Sequence, residues 1–384
     1  MIEIQDKRDC CGCSACEQIC PRHCIHLVPD KNGFRYPITN KNLCVDCKLC
    51  EKVCPFQNQK ESAEPIKAYA CKNPNLETRL HSSSGGAFTL IAAHVIGNGG
   101  VVFGARFDNQ WNVVHDFADS LEGLHLFRGS KYVQSWIGDR FKKCKDFLKQ
   151  NRLVLFSGTP CQIAGLKNYI GKEYENLITI DTICHAVPSP KIWNKYLDET
   201  CSYLSINKND INKIDFRNKS TGWEKYSFTI DYIKNGNPQQ YKNRFVHNPY
   251  GKSFLQHLST RPSCTKCPAK EGKSHSDITL GDFWGIDKIM PEINDDKGIG
   301  LLLINSDKGL QLIKQLKLET TDVDFKSAIS FNPSWQKSAW LNSDTNSYFF
   351  FINHGGSLEN AANGSLSYRI TRKVIKVING SNNQ

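Results

Sequence analysis

Residues 10–21 read CCGCSACEQICP and residues 44–55 read CVDCKLCEKVCP, so one cysteine pattern occurs twice at an offset of 34 residues. In each copy, three cysteines are separated by two residues each, and a fourth follows after three more residues, directly before a proline. A short loop of this kind wraps three thiolates around one face of an iron–sulfur cube, and the fourth cysteine opens a helix leading away. The repeat therefore predicts two 4Fe–4S clusters.

The fourth cysteine of each copy is expected to bind the cluster of the other copy, because two-cluster ferredoxins exchange this ligand between their halves. Two zinc sites or a disulfide knot are the alternatives, but zinc sites use ligands in pairs rather than three in a row. Cys11 and Cys24 fall outside the pattern and are interpreted as packed thiols. We expect cluster 1 to be held by Cys10, Cys13, Cys16 and Cys54, and cluster 2 by Cys20, Cys44, Cys47 and Cys50.

The composition is that of a globular protein of two or three domains, with 384 residues of which 39% are hydrophobic and 23% charged. The formal net charge is +11, but Lys and Arg are spread along the chain and each oxidised cluster contributes about −2. We therefore expect no nucleic-acid partner. The first residues lack the apolar stretch of a secretory signal, and no run of about 18 apolar residues occurs. These features predict a cytoplasmic protein without a membrane span.

The chain divides into segments of different composition. Residues 1–58 hold ten of the seventeen cysteines and are predicted to form an α+β ferredoxin-like domain. After a polar linker at residues 57–65, apolar runs of strand length alternate with helix-like stretches, which predicts a larger α/β domain. Residues 366–378 predict a basic amphipathic helix, with a solvated face favoured over a membrane anchor. Strands are predicted at residues 100–107, 153–157, 177–182, 226–233 and 299–305, and helices at 85–95, 134–149, 192–204 and 308–315.

Four further cysteines lie in polar, proline-rich settings of the larger region. One is in the sequence GTPCQ, the second in ICH, and the last two, spaced as a metal-binding pair, in RPSCTKCP. The residues alone leave three interpretations open: a third 4Fe–4S cluster, a zinc site built on the pair, or unliganded thiols. The four are Cys161, Cys184, Cys264 and Cys267.

Other segments of this region carry a family resemblance together with these cysteines. They are SSSGGAFT at residues 82–89, GSKYVQS at 129–135 and SDITLGDFWG at 276–285. In this order the motifs resemble the beta subunits of coenzyme F420-reducing hydrogenases and dehydrogenases, with 7-hydroxymethyl chlorophyll a reductase as a relative. The resemblance covers residues from about 68 to 340, and residues 261–285 look like bacterial relatives, several of them associated with surface-polysaccharide gene clusters.

The resemblance implies an α/β flavoprotein with non-covalent FAD and a third 4Fe–4S cluster, held by the four cysteines, beside the flavin. It also gives the domain organisation of the chain. Residues 1–58 are the two-cluster domain, residues 66–150 and 151–345 are the N- and C-terminal parts of the flavin-binding domain, and residues 346–384 are a C-terminal helix and tail.

A flavin site is predicted where small residues precede a helix. Residues 82–86 place amides and hydroxyls at the positive helix end, where a pyrophosphate can bind, although a flexible turn is the alternative. Lys131 and Tyr132 offer a cation and an aromatic ring to the flavin. His81 and His185 are candidate catalytic proton donors, with a structural role as the alternative. The predicted cofactor-binding residues are Ser83, Ser84, Gly85, Gly86, Gly129, Lys131, Tyr132, Thr159, Pro160 and Gln162.

These features predict an iron–sulfur flavoprotein oxidoreductase. It would take electrons from a low-potential donor, such as reduced ferredoxin or a deazaflavin, and pass them through the clusters to FAD and a small organic substrate. The alternative is an electron-transfer subunit without its own substrate, which docks on a partner enzyme. Because a polar linker follows the two-cluster domain, that domain is expected to lie apart from the flavin, with the third cluster bridging the gap.

Overall fold

The computed structural model describes the backbone of residues 1–381 and the side chains up to residue 376. The strands are β1 (Ile25–Pro29), β2 (Arg35–Thr39), β3 (Lys67–Lys72), β4 (Val101–Phe107), β5 (Val113–Ala118), β6 (Val154–Ser157), β7 (Leu177–Thr182), β8 (Ile211–Asn218), β9 (Ser227–Lys234), β10 (Asn237–Arg244), β11 (Ile278–Asp282), β12 (Gly300–Ile304) and β13 (Glu319–Asp322). The helices are α1 (Ala15–Ile19), α2 (Leu49–Lys52), α3 (Leu76–Leu80), α4 (Ala87–Gly97), α5 (Arg140–Lys149), α6 (Pro160–Ile170), α7 (Pro190–Leu204), α8 (Pro249–Leu255), α9 (Ile286–Ile289), α10 (Asp307–Lys314), α11 (Phe325–Ser330), α12 (Thr345–Asn353), α13 (Leu358–Ala362) and α14 (Leu366–Ser381).

A mixed eight-stranded sheet forms the centre of the body, in the order β13-β3-β12-β11-β7-β6-β4-β5. Strands β4, β6, β7 and β11 are parallel, and their apolar residues are buried, as expected where helices cover both faces. Since β12 is antiparallel to both β11 and β3, the carboxyl end of β3 lies at the same edge as those of the parallel strands. This carboxyl edge carries the loops that follow β3, β6, β7 and β11, and crevices at such edges bind ligands in α/β proteins.

Two smaller sheets complete the fold. Strands β1 and β2 form an antiparallel hairpin in the N-terminal domain, with Ile25 opposite Thr39. Strands β8, β9 and β10 form an antiparallel sheet whose inner face joins a large aromatic core with α7, α8 and α12. The prediction of an α/β body with a large sheet is confirmed. Among the described residues, no helix is long and apolar enough to cross a membrane.

The N-terminal domain packs directly on the body. Helix α1 contacts α6, and a Cβ atom built on Gly165 of α6 would stand 2.8 Å from the sulfur of Cys13. The linker itself lies against the body, where the amide of Ala63 donates to the carbonyl of Glu271 at 3.1 Å. The expectation that the linker separates the two-cluster domain from the body is therefore wrong, because a polar linker can still run along a surface.

Most predicted elements lie within one or two residues of their observed positions, but the helix predicted at residues 134–149 begins only at Arg140. The missing part is extended, because Trp136 pairs with β5: its amide donates to Val113 and its carbonyl accepts from His115. Gly138, at φ +57°, then turns the chain into the helix. The body strands that were not predicted are β3, β5, β8, β10, β11 and β13, of which β10 and β13 are polar and have no apolar alternation.

Candidate functional site

The thiols predicted to hold cluster 1 lie together in the N-terminal domain. Burial raises the pKa of Cys16, and the negative charges of the Cys10 and Cys54 thiolates raise it further. Burial also raises the pKa of Cys54, against the backbone amides of Gln57 and Phe56, which stabilise its thiolate. Cys16 and Cys54 also lie in one buried cluster, so the fourth cysteine of the second repeat lies beside the first repeat, as the exchanged-ligand arrangement requires.

The thiols predicted to hold cluster 2 line one small cavity near the surface, which contains Cys20, Cys44, Cys47 and Cys50. Cys47 is exposed and Cys44 is partly exposed, so this set lies closer to solvent than the first. Cys24 also lines the cavity, with its sulfur 3.4 Å from that of Cys20. Cys24 is thus a buried thiol in contact with a predicted ligand.

The donor chemistry fits iron–sulfur clusters, because both sets consist of thiols alone. Within the part of the chain that the structure describes, no three His, Cys, Asp or Glu side chains lie close enough to hold a single metal ion. Cluster ligands stand farther apart than ligands of one ion, since each thiolate of a cube binds its own iron.

The four body cysteines come together from three loops. Cys161 lies in the first turn of α6, Cys184 follows β7, and Cys264 and Cys267 lie in and just after a 3-10 turn at Pro262–Lys266. Burial raises the pKa of Cys184 to about 12, and the charges of Cys161 and Cys267 raise it as well, while Lys270 lowers it. Burial and the charges of the other three thiols also raise the pKa of Cys264. Four convergent thiols could hold a cluster here.

This second group of thiols lies beside the first one. Cys11 and Cys13 belong to one buried cluster, and Cys161 packs against that cluster. Cys13 belongs to the cluster 1 set, whereas Cys161 belongs to the body set. The interface between the domains therefore places the two cysteine groups side by side.

Three further predicted residues shape the turn that carries Cys161. Thr159 caps α6 in a capping box with Gln162, and Pro160 occupies the first helical position. The amide group of Gln162 also donates to Ser135 at 3.0 Å, and the Thr159 hydroxyl lies 3.3 Å from the Cys161 sulfur. These side chains hold the cysteine turn in place.

The serine-rich turn and the Gly129 segment, both predicted for the flavin, meet at the carboxyl edge. The amide of Ser130 donates to the hydroxyl of Ser83 at 2.6 Å, and the hydroxyl of Ser84 donates to Ile299 at 2.7 Å. Gly85 packs against β3 and β12, where a Cβ atom would stand 2.3 Å from the Cys71 carbonyl. Gly86, at φ +83°, is the N-cap residue of α4, and no side chain caps the N-terminus of this helix.

Lys131 and Tyr132 lie beside this turn in different surroundings. The ammonium group of Lys131 donates to the carbonyls of Arg128 and Gly129, both at 3.1 Å, and burial lowers its pKa to about 7. The ring of Tyr132 stacks on Phe254 at 4.9 Å, so protein aromatics hold it.

The two candidate proton donors are placed differently. His81 is exposed at the end of α3, where its Nδ1 lies 2.9 Å from the carbonyl of Glu77. His185 follows Cys184, and its Nδ1 lies 2.9 Å from the hydroxyl of Ser334. Burial lowers the pKa of His185, and the charge of Lys270 lowers it further.

Several charged residues at the same edge were not predicted from the sequence. Arg217 forms a two-point ion pair with Asp282, at 2.7 and 2.9 Å. The ammonium group of Lys219 donates to the carbonyls of Arg79, Ser84 and Lys297, and burial and then Arg217 lower its pKa to about 7. Asp282 lies in the motif SDITLGDFWG, which was a signal for it, but Arg217 and Lys219 stand in no motif.

In comparisons with known proteins, both regions of the chain match models of protein families. Residues 9–58 match the model of the 4Fe-4S dicluster domain, and residues 151–326 match that of the C terminus of the coenzyme F420 hydrogenase/dehydrogenase beta subunit. A solved structure of the F420-reducing NiFe hydrogenase complex from Methanosarcina barkeri aligns at 15% identity and a TM-score of 0.46, covering 71% of this chain and 91% of that one. No curated protein matches the chain.

Proposed function

Because residues 9–58 form a 4Fe–4S dicluster domain and residues 151–326 belong to the C-terminal family of the coenzyme F420 hydrogenase/dehydrogenase beta subunit, we propose that this iron–sulfur electron-transfer protein is a flavin-dependent oxidoreductase. A low-potential donor, either a redox protein such as reduced ferredoxin or a reduced deazaflavin-type cofactor, supplies the electrons. They pass through the clusters to FAD and on to a small organic substrate. The resemblance of residues 261–285 to bacterial relatives suggests surface-polysaccharide biosynthesis as the setting.

The contact between the two cysteine groups is the observation that carries this proposal. Cys13 of the cluster 1 set lies in a buried cluster against which Cys161 of the body set packs, and the Cys13 sulfur lies against Gly165, one turn after Cys161 in α6. A third cluster on the four body cysteines would therefore lie next to cluster 1, and the turn of Cys161 follows β6 at the carboxyl edge. This geometry supports a chain of redox centres that leads from the N-terminal domain to that edge.

The charges at the carboxyl edge support FAD as the acceptor there. The ammonium groups of Lys131 and Lys219 donate to backbone carbonyls and have pKa values lowered to about 7. A pyrophosphate beside them would supply negative charge, and the uncapped N-terminus of α4 offers amide donors. When bound, FAD converts single electrons into the pairs that organic reductions need.

The test is the FAD content of the anaerobically purified chain, followed by chromatography after denaturation. We expect about one FAD per chain in the parent protein. Lys131→Gln removes a charge at the turn and should lower the FAD content. Lys297→Gln removes an exposed lysine near the same edge and should leave it unchanged. A parent protein without FAD, or equal FAD content in all three proteins, would count against this site.

The alternative function, an electron-transfer subunit that docks on a partner enzyme, is favoured by the surface around cluster 2. Cys47 is exposed there, and the apolar side chains of Ile38, Leu43 and Val45 are 58%, 47% and 60% exposed. Exposed apolar residues beside a redox centre suit a protein partner. If the reduced chain alone transfers electrons to no small organic acceptor in a substrate screen, but does so with a partner enzyme, this alternative replaces the first.

A further inference from the structure

Arg261 is a buried arginine at the boundary between the N-terminal domain and the body. Its side chain is 1% exposed, and it lies three residues before Cys264. The guanidinium donates to the carbonyls of Cys10 and Arg35, at 2.7 and 2.8 Å, and to the side-chain oxygen of Gln134 at 3.0 Å. These oxygens are uncharged, so they leave the positive charge of the guanidinium uncompensated.

The guanidinium also touches the cluster 1 loop. Its Nη2 atom lies 3.6 Å from the sulfur of Cys10, within hydrogen-bond distance for a sulfur acceptor. Gly12 packs on it so closely that a Cβ atom there would stand 2.9 Å from Nη1. The ring of Tyr36 closes the other side, with its centroid 4.4 Å from the guanidinium carbon. The loop that carries the ligands therefore wraps around this charge.

We propose that Arg261 raises the reduction potential of cluster 1 above that of cluster 2, and so directs electrons inward. Reducing a cluster adds a negative charge, which burial disfavours. Three of the four cysteines of cluster 1 are buried, so burial alone would lower its potential relative to the more exposed cluster 2. A buried positive charge and an N–H···S hydrogen bond stabilise the reduced form and reverse this order.

Cluster 2 has cations nearby, but of a different kind. Arg22 and Lys48 line its cavity and are exposed to solvent, which screens their charges. The N-terminal ammonium of Met1 also lines the cavity, but ion pairs with Asp46 and Glu51 neutralise it. The step that Arg261 favours is the transfer of one electron, which oxidises cluster 2 and reduces cluster 1 without forming or breaking a bond. A low-potential one-electron donor, acting where Cys47 is exposed, reduces cluster 2 again. The inference rests on the dicluster domain and does not require the third cluster or FAD.

The experiment is a potentiometric titration of the full chain, followed by electron paramagnetic resonance. A dissolved paramagnetic chelate identifies the signal of the exposed cluster 2 by faster relaxation. In Arg261→Gln, the potential of cluster 1 should fall enough to change electron sharing between the clusters at least tenfold, about 59 mV for one electron, while cluster 2 keeps its potential. Arg261→Lys keeps the charge and should retain most of the parent potential.

A second variant covers the case in which Arg261→Gln loses iron. Gln134→Glu places a carboxylate against the guanidinium, which should lower the cluster 1 potential in the same direction. The matched control is Lys266→Gln, which removes a cation that also bridges the domains, to Asp9 at 2.8 Å, but is exposed. An unchanged cluster 1 potential in Gln134→Glu at full iron content, or an equal fall in Lys266→Gln, would overturn the proposal.

Discussion

Lys131 and Lys219 are the residues through which pH should act on the proposed flavin site. Burial lowers the pKa of both to about 7; Asp215 opposes this at Lys131, while Arg217 and Arg79 add to it at Lys219. An ammonium partner attracts the pyrophosphate, whereas a neutral amine does not. The affinity for FAD therefore depends on a proton that each lysine holds below neutral pH and loses above it.

We predict that FAD binds more weakly as the pH rises from about 6 to about 9. The sign follows from the pKa values, because both lysines are charged below about pH 7 in the flavin-free protein. At higher pH, the lysines must take up protons when FAD binds, and this weakens binding. Fluorescence titration of the flavin-free protein at several pH values measures this. Lys131→Gln should flatten the profile, and an unchanged slope would remove Lys131 from the site.

Cys264 tests the body set of cysteines at single-residue scale. Serine is a poorer iron ligand than thiolate, so Cys264→Ser should lower the iron content from about twelve to about eight per chain and leave FAD in place. Iron and flavin assays on the anaerobic protein measure both. Cys201→Ala removes a buried thiol of α7 and serves as the control, with no iron lost. Full iron content in Cys264→Ser would exclude Cys264 as a ligand.

Contacts between residues that are close along the chain could be predicted from the sequence, whereas contacts between distant residues could not. The cysteine spacings of the two repeats are local and predicted the thiol sets of the N-terminal domain, whereas the grouping of the four body cysteines came from the family resemblance. Arg261 lies 251 residues from Cys10, its hydrogen-bond partner. A single arginine in the sequence carries no sign of such a contact, because the fold alone makes it.

At the scale of elements, five body strands were predicted from apolar runs, but strands of mixed composition such as β3 and β8, and polar ones such as β13, were not. Strand β6 is buried over Val154, Leu155 and Phe156, and this apolar run marked it in the sequence. Strand β13 is exposed along its length and is held by pairing with β3 at the end of the sheet. Pairing between distant strands leaves no periodic pattern, which also explains the error at residues 134–139.

Helix α6 carries Cys161 of the body set and packs against the N-terminal domain. Gly165 tests this contact. Replacing glycine by alanine inside a helix usually stabilises it by up to about 1 kcal/mol. Gly165→Ala should instead speed the loss of iron to a chelator, because the methyl group would press on the sulfur of Cys13. Gly97→Ala in α4, where the methyl group meets open space, is the control. Equal rates of iron loss in both variants would mean that α6 does not support cluster 1.

At the scale of the whole molecule, the two domains form one route from the surface to the carboxyl edge of the large sheet. The cysteines of the cluster 2 set lie nearest to solvent, those of the cluster 1 set face the body, and the body cysteines lie where β6 and β7 end. The sequence predicted the cysteine sets but not the contact between the domains. A polar linker shows only that two domains are joined, not how they pack.

This arrangement predicts the order in which the centres are reduced. In rapid-mixing experiments with a low-potential donor, the parent protein should reduce its clusters first and bleach its flavin soon after. Cys264→Ser should reduce the clusters of the N-terminal domain as fast as the parent and bleach the flavin much more slowly. Flavin bleaching at the parent rate would mean that electrons reach the flavin without the third cluster.

The central claim is that the chain is an iron–sulfur flavoprotein with three clusters, and its composition tests this most directly. The measurement is the content of iron, acid-labile sulfide, zinc and FAD per chain after strictly anaerobic purification. We expect about twelve iron, about twelve sulfide and about one FAD per chain, without zinc. About eight iron with one zinc and no flavin would contradict it, and would leave a two-cluster electron carrier with a structural zinc site.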